Sequence, residues 1–154
     1  MAFVMNSPAF ADGQQIPARY TRDGENNSPP LEWSGTPAQA QSYVLIIEDP
    51  DAPSGTFRHW AVYNIPGDRT GLPEGAGSGM QVEGLSQGVN DFGNARYDGP
   101  QPPRGHGPHH YHFRLAALNI PRLDVPARAK VVEVWEAARP HIVDETELVG
   151  TYER

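Results

Sequence analysis

Residues 42–48 read SYVLIIE, an unbroken β-branched and aliphatic run that stops at Asp49-Pro50-Asp51-Ala52-Pro53. A run this short and this apolar, closed by prolines, predicts a strand buried on both faces. Two further stretches follow suit. FRHWAVYNI over 57–65 ends at Pro66-Gly67, and YHFRLAAL over 111–118 alternates with period two. That alternation puts His109, Tyr111, Phe113 and Leu115 on one face and His110, His112 and Arg114 on the other.

Upstream, Ser28–Trp33 reads as extended, with Leu31 and Trp33 as buried anchors, and its prolines confine it to a sheet edge or a loop. Asp23-Gly24 and Asn26-Asn27 supply turn chemistry. Residues 68–99 are rich in glycine and show no helical period. An irregular stretch of that length inside one domain is expected to be functional. Downstream, Val131, Val134, Trp135 and Ala138 recur at helical spacing. They predict the one main helix over Val125–Arg139, opened by Asp124 and closed before Pro140. A short strand over Glu147–Tyr152 ends the chain.

Composition points the same way. A chain of 154 residues suits a single domain, residues 1–154, and sixteen Gly with sixteen Pro argue against a helical bundle and for a mainly β fold. Twelve basic residues, eleven of them Arg, face nineteen acidic ones, for a net charge of −7. Such a surface is a poor partner for nucleic acid or an anionic membrane. The absence of cysteine excludes disulfides, a thiol nucleophile and a cysteine-based zinc site. No stretch approaches the ~20 apolar residues of a membrane span. The opening MAFVMNSPAF lacks the basic start and sustained apolar core of a signal peptide, so a soluble cytoplasmic protein is expected.

Three features carry candidate chemistry. Asp49 and Asp51 flank a rigid proline at the exit of the buried strand, although Asp-Pro-Asp also reads as a capped turn. Four of the six histidines fall in GHGPHHYH, residues 105–112. Strand alternation leaves only His109 to share a pocket with His59 and Asp49, so no metal-ligand set assembles, and His110 and His112 form a solvated face. The segment Gly99–Pro108 combines prolines with bare glycine backbone. Its N–H groups at Gly105, His106, Gly107 and His109 can form an anion-binding nest. There is no Gly-x-Ser-x-Gly elbow, P-loop or dinucleotide fingerprint. An Asp49–His59 acid–base pair would suit a hydrolase of phosphoesters or carboxylic esters, the alternative reading, but no nucleophile stands beside it except the turn residue Ser54. No catalytic residue, metal or cofactor is assigned.

The order of these blocks resembles a known family. Asp49-Pro50-Asp51-Ala52-Pro53-Ser54 with His59-Trp60, then Gly99-Pro100, Pro102-Pro103, Gly105-His106-Gly107 and His109–Tyr111, are similar to the signature blocks of the phosphatidylethanolamine-binding proteins. The likeness is to their bacterial, Raf-kinase-inhibitor-like branch. It implies an antiparallel β-sandwich with Greek-key connections and few helices. It also implies a small pocket for a phosphate-like or carboxylate group, lined by the positions matching Asp49, Asp51, Pro53, His59, Gly99, Pro100, His109 and Tyr111, to which the glycine turn adds Gly107. The ligand is then a small anion such as phosphate or a phosphorylated headgroup, and a role as kinase or protease inhibitor is implied without a named target. One departure stands out. His110 replaces an Arg that commonly braces the carboxylate matching Asp51, and a neutral imidazole lacks the guanidinium fork. The family's eukaryotic closing helix has no counterpart after Arg154, so an open pocket or cover by a second copy, in a homodimer, is expected.

Overall fold

Apolar side chains on both faces of residues 42–48 sandwich that run between two layers, and the other elements are arranged around it. The computed structural model describes residues 2–78 and 84–154. In chain order the strands are β1 (Val4–Asn6), β2 (Leu31–Ser34), β3 (Ser42–Asp49), β4 (Phe57–Pro66), β5 (Gly71–Leu72), β6 (Ser86–Gln87), β7 (His109–Leu118) and β8 (Ile142–Tyr152). One α-helix, α1 (Val131–Ala138), lies between β7 and β8.

The strands form a five-stranded sheet, β6-β4-β3-β7-β8, and a three-stranded sheet, β1-β2-β5. All their pairings are antiparallel. The chain leaves β4 and returns as β7 on the other side of β3, the non-sequential step of a Greek-key path. Along β3, Tyr43, Leu45 and Ile47 pack with Met5, Leu31 and Trp33 of the smaller sheet. Val44 and Ile46 face the opposite way, against Val134 and Trp135 of α1. Each buried aliphatic side chain contributes roughly 1.5–3 kcal/mol relative to exposure. This double burial is why the run shows no polar alternation. The face assignment along β7 also holds, with His109, Tyr111, Phe113 and Leu115 buried and His110 exposed.

Strand β4 departs from simple alternation at two points. Its pairing with β3 passes from Tyr43↔Ile65 to Leu45↔Val62, and from Ile47↔Trp60 to Glu48↔Arg58. Each shift inserts one extra residue into β4, a β-bulge. At the first, Asn64 takes a φ of 58°, and its Oδ1 accepts the Leu123 N–H at 2.8 Å. At the second the extra residue is His59, so His59 and the next residue, Trp60, are both buried.

Several sequence expectations need correction. The helix begins at Val131, not Val125. The backbone of Ala129–Val131 is instead bonded to Val89, through Val89 N–H to Ala129 O at 2.8 Å and Val131 N–H to Val89 O at 3.1 Å. Those contacts hold the chain extended where a helix would have started. Strand β2 is the central strand of its sheet rather than an edge, because Pro29 and Pro30 precede it and remove no ladder donor. The final strand starts five residues earlier than expected, at Ile142 rather than Glu147. Within 68–99 lie the two short strands β5 and β6, and residues 79–83 fall outside the described residues. Among the described residues no helix is long and apolar enough to cross a membrane.

The loop before β7 is pinned by one buried carboxylate. Asp98 accepts Asn26 Nδ2 at 3.0 Å on one oxygen, and Asn90 Nδ2 at 2.8 Å and Asn94 Nδ2 at 3.0 Å on the other. Burial alone would raise its pKa, but the amide donors outweigh it and hold the carboxyl below its usual range.

Two outcomes test this framework. Asn64→Ala should lower the unfolding free energy by about 1–3 kcal/mol in urea titrations, since it leaves the Leu123 N–H unpaired at a left-handed position. An unchanged midpoint would show that the bulge does not need its asparagine. Asp98→Ala should lower stability at neutral pH by about 2–3 kcal/mol, because the amides lose their acceptor. A carboxyl whose folded pKa is depressed stabilises above its unfolded pKa and loses that contribution as pH falls through the folded value. The gap between wild type and variant should therefore shrink below about pH 4. A pH-independent gap would contradict the assignment.

Candidate functional site

Strands β3, β4 and β7 end together at one edge of the five-stranded sheet, and three buried polar residues meet there. Asp49, the last residue of β3, is 3% exposed, and His109, the first of β7, is 1% exposed. His109 Nδ1 lies 2.6 Å from Asp49 Oδ2. The other carboxylate oxygen accepts the Asp51 N–H at 2.8 Å. Proline at position 50 stops the strand, so the carboxylate that would have continued the ladder caps the turn instead.

His59 arrives from β4. Strict alternation would set it on the face opposite Trp60, and the bulge turns it inward. Its Nδ1 donates to the Asp98 carbonyl at 2.7 Å, which fixes the orientation of the ring, and no hydrogen bond joins it to Asp49. The expected Asp49–His59 pair is therefore not formed. Asp49 pairs with His109, and His59 is oriented by the loop that the asparagine amides hold. Burial holds the His59 pKa below the usual imidazole value, against the opposing pull of the Asp98 carbonyl and of the Asp49, Asp91 and Asp98 charges.

Tyr111, two residues along β7 from His109, faces the same space. Its ring meets that of His59 edge-on with centroids 5.3 Å apart. Its hydroxyl is buried and, among the described residues, makes no hydrogen bond of ordinary geometry. Burial, reinforced by the charges of Asp49 and Asp51, pushes the phenol well above its ordinary pKa. These side chains bound a cavity of about 270 Å³. Phe57, Phe92, Pro53 and Pro102 supply apolar wall. Arg22 stacks over Phe92, 4.1 Å from the ring centre, and donates to Gln101 at 3.1 Å, which brings a positive charge to the wall residues.

Of the ligand-binding residues expected from the sequence, Asp49, Pro53, His59, His109 and Tyr111 line this cavity together, as does Ser54, the turn residue named as a candidate nucleophile. Asp51, Gly99, Pro100 and Gly107 do not. Asp51 is exposed, and its Oδ2 accepts both the backbone N–H and the Nδ1 of His110, each at 2.8 Å. The imidazole thus braces the carboxylate despite lacking a guanidinium fork, and this hydrogen bond lowers the Asp51 pKa. Gly99 lies behind the cavity, its N–H bonded to Asn26 Oδ1 at 2.7 Å, where a Cβ would collide with the Tyr20 carbonyl. The Pro100 carbonyl accepts the Arg22 N–H. The expected backbone nest is largely spent internally, because the Gly105 N–H goes to the Arg154 carbonyl and the His106 N–H to that of Pro103.

His106 falls outside the pocket expected from the sequence, because it lies three residues upstream of His109 across Gly107-Pro108. Gly105 and Gly107 flank it with φ of 73° and 85°, and this turn brings its Nδ1 to 2.6 Å from His109 Nε2. A histidine between two glycines was the available signal. Phe57, Phe92 and Asp98 carried none, since their roles come from the bulge and from a buried carbonyl.

The comparisons with known proteins agree with the fold. The family model for phosphatidylethanolamine-binding protein matches residues 6–153. A UPF0098 protein of Methanothermobacter thermautotrophicus is 47% identical over 151 residues, spanning 97% of this chain and 98% of its own length. The crystal structure of Escherichia coli YbcL, a member of the mammalian PEBP family, superposes with a TM-score of 0.94 at 33% identity, over 100% of this chain and 99% of that one. A PEBP homologue from Chlamydia trachomatis gives a TM-score of 0.89 at 37% identity, over 99% of this chain and 98% of that one. On this similarity, which runs almost end to end, the chain belongs to the phosphatidylethanolamine-binding protein family.

Proposed function

We propose that the protein binds a small molecule through a phosphate-like or carboxylate group seated beside Tyr111, His59 and His109. One observation carries this reading. Tyr111 Oη is buried at the cavity near the Asp49 carboxylate, and among the described residues it makes no hydrogen bond of ordinary geometry. A buried polar group left unpaired costs about 1–3 kcal/mol, so an oxygen from a guest that accepts the phenol hydrogen relieves an existing penalty. The aromatic and proline walls then suit an apolar or uncharged remainder of the ligand. Charges beyond about 8 Å are largely screened at physiological salt, so most of the net charge of −7 is not felt here. The repulsion an anion meets comes from near carboxylates such as Asp49. Arg22, stacked over Phe92, offsets part of that repulsion locally.

The alternative of a phosphoester or carboxylic ester hydrolase gains no support from the geometry. The nitrogen of His109 that would activate a nucleophile faces His106, and among the described residues no hydroxyl bonds to the ring of His59 or His109. The expected homodimer belongs to the binding reading, with a second copy covering the open mouth.

Calorimetric titration of phosphorylethanolamine into wild type and Tyr111→Phe tests the site. Loss of one hydrogen bond to an ionised group should weaken binding about tenfold or more while the fold is kept. Equal affinities would remove Tyr111 and this cavity from the account. Light scattering at micromolar concentration should give about twice the 16.9 kDa chain mass, and a monomeric mass would end the dimer proposal.

A further inference from the structure

The contact that orients His59 also fixes where its hydrogen sits. Nδ1 lies 2.7 Å from the Asp98 carbonyl oxygen, and a carbonyl can only accept, so the hydrogen there belongs to His59. In the neutral ring Nε2 then carries a lone pair and no hydrogen. No hydrogen bond among the described residues engages Nε2, and the ring lines the cavity. An ionised oxyanion likewise offers only lone pairs. Two acceptors placed against each other repel unless a proton stands between them.

We infer that the cavity takes its oxyanion together with one proton, held between His59 Nε2 and a ligand oxygen. The species recognised is a hydrogen-bearing acid, such as a singly ionised phosphate monoester or a carboxylic acid. This rests on the oxyanion reading above and adds the protonation state of the guest.

The surroundings support the assignment. Asp49 from β3, and Asp91 and Asp98 from the segment before β7, are the charges that act on His59, while Phe57, Phe92 and Tyr111 pack around its ring. Burial outweighs those carboxylates and disfavours the charged form of the His59 ring. Tyr111 holds its hydrogen at any physiological pH. His109 is already committed, with Nδ1 on Asp49 and Nε2 on His106. Among the described residues, the Tyr111 hydroxyl is a donor and His59 Nε2 an acceptor without a hydrogen-bond partner, and both face this cavity. A monoester monoanion presents the complementary P–O⁻ and P–OH. The chain Asp49–His109–His106, with links of 2.6 Å each, connects the buried carboxylate to the exposed His106.

Calorimetry of the wild-type protein with two probes, in buffers of different ionisation enthalpy, decides the matter. Phosphorylethanolamine loses its last phosphate proton near pH 6 and is a bare dianion at about pH 8, whereas inorganic phosphate keeps one O–H there. Phosphorylethanolamine should take up close to one proton at about pH 8, with affinity falling about tenfold per pH unit above pH 7. Inorganic phosphate should bind at about pH 8 with little uptake. His59→Gln, which places an amide N–H in the site, should abolish the uptake. If that variant fails to fold, the comparison of probes on wild type still decides. Binding of phosphorylethanolamine with no uptake and unchanged affinity would overturn this inference and leave the oxyanion reading standing. Failure of both probes to bind at about pH 6 and about pH 8 would overturn both.

Discussion

A carboxylate taken out of water must be paired, and the hydrogen bond from His109 to Asp49 meets that demand at the junction of two strands and two loops. One oxygen of Asp49 holds β7 through His109, and the other holds the 49–53 turn through the Asp51 N–H. That pairing sets the start of β7, and the strand period then carries Tyr111 to the same face. The same turn delivers Pro53 to the cavity wall. Without the pair, the strand ends would have no reason to converge at this depth.

The second arm of the site depends on backbone rather than charge. His59 is the extra residue of a β-bulge, and its ring is aimed by a carbonyl whose own side chain is gripped by asparagine amides. The two imidazoles therefore differ in kind. His109 is committed on both nitrogens, while His59 is committed on one and its ring lines the cavity. An acidic protein that hosts an anion in such a place relies on a few fixed hydrogen bonds, because its overall field opposes the guest.

How much of this the residues themselves disclosed follows from what local pattern can encode. The unbroken run 42–48 identified the central strand because burial on both faces leaves no polar alternation to confuse with a helix. Period two sorted the three histidines of β7 correctly, and it said nothing about His106, which lies on a turn set by its flanking glycines. His59 was expected in the pocket and lies there, but how it gets there was not legible, because a bulge is written in the pairing of two strands and not in either one. The helix start was illegible for a similar reason, as Val89 is forty residues from the backbone it captures. Asp98 gave no sign of its role, since the orienting group is its carbonyl and every residue has one.

A crystal structure of the protein grown with inorganic phosphate examines the central claim at its source. The account requires an anion in the cavity, with one oxygen accepting from the Tyr111 hydroxyl and another within hydrogen-bonding distance of His59 Nε2. A cavity holding only water, with phosphate bound elsewhere or nowhere, would contradict it.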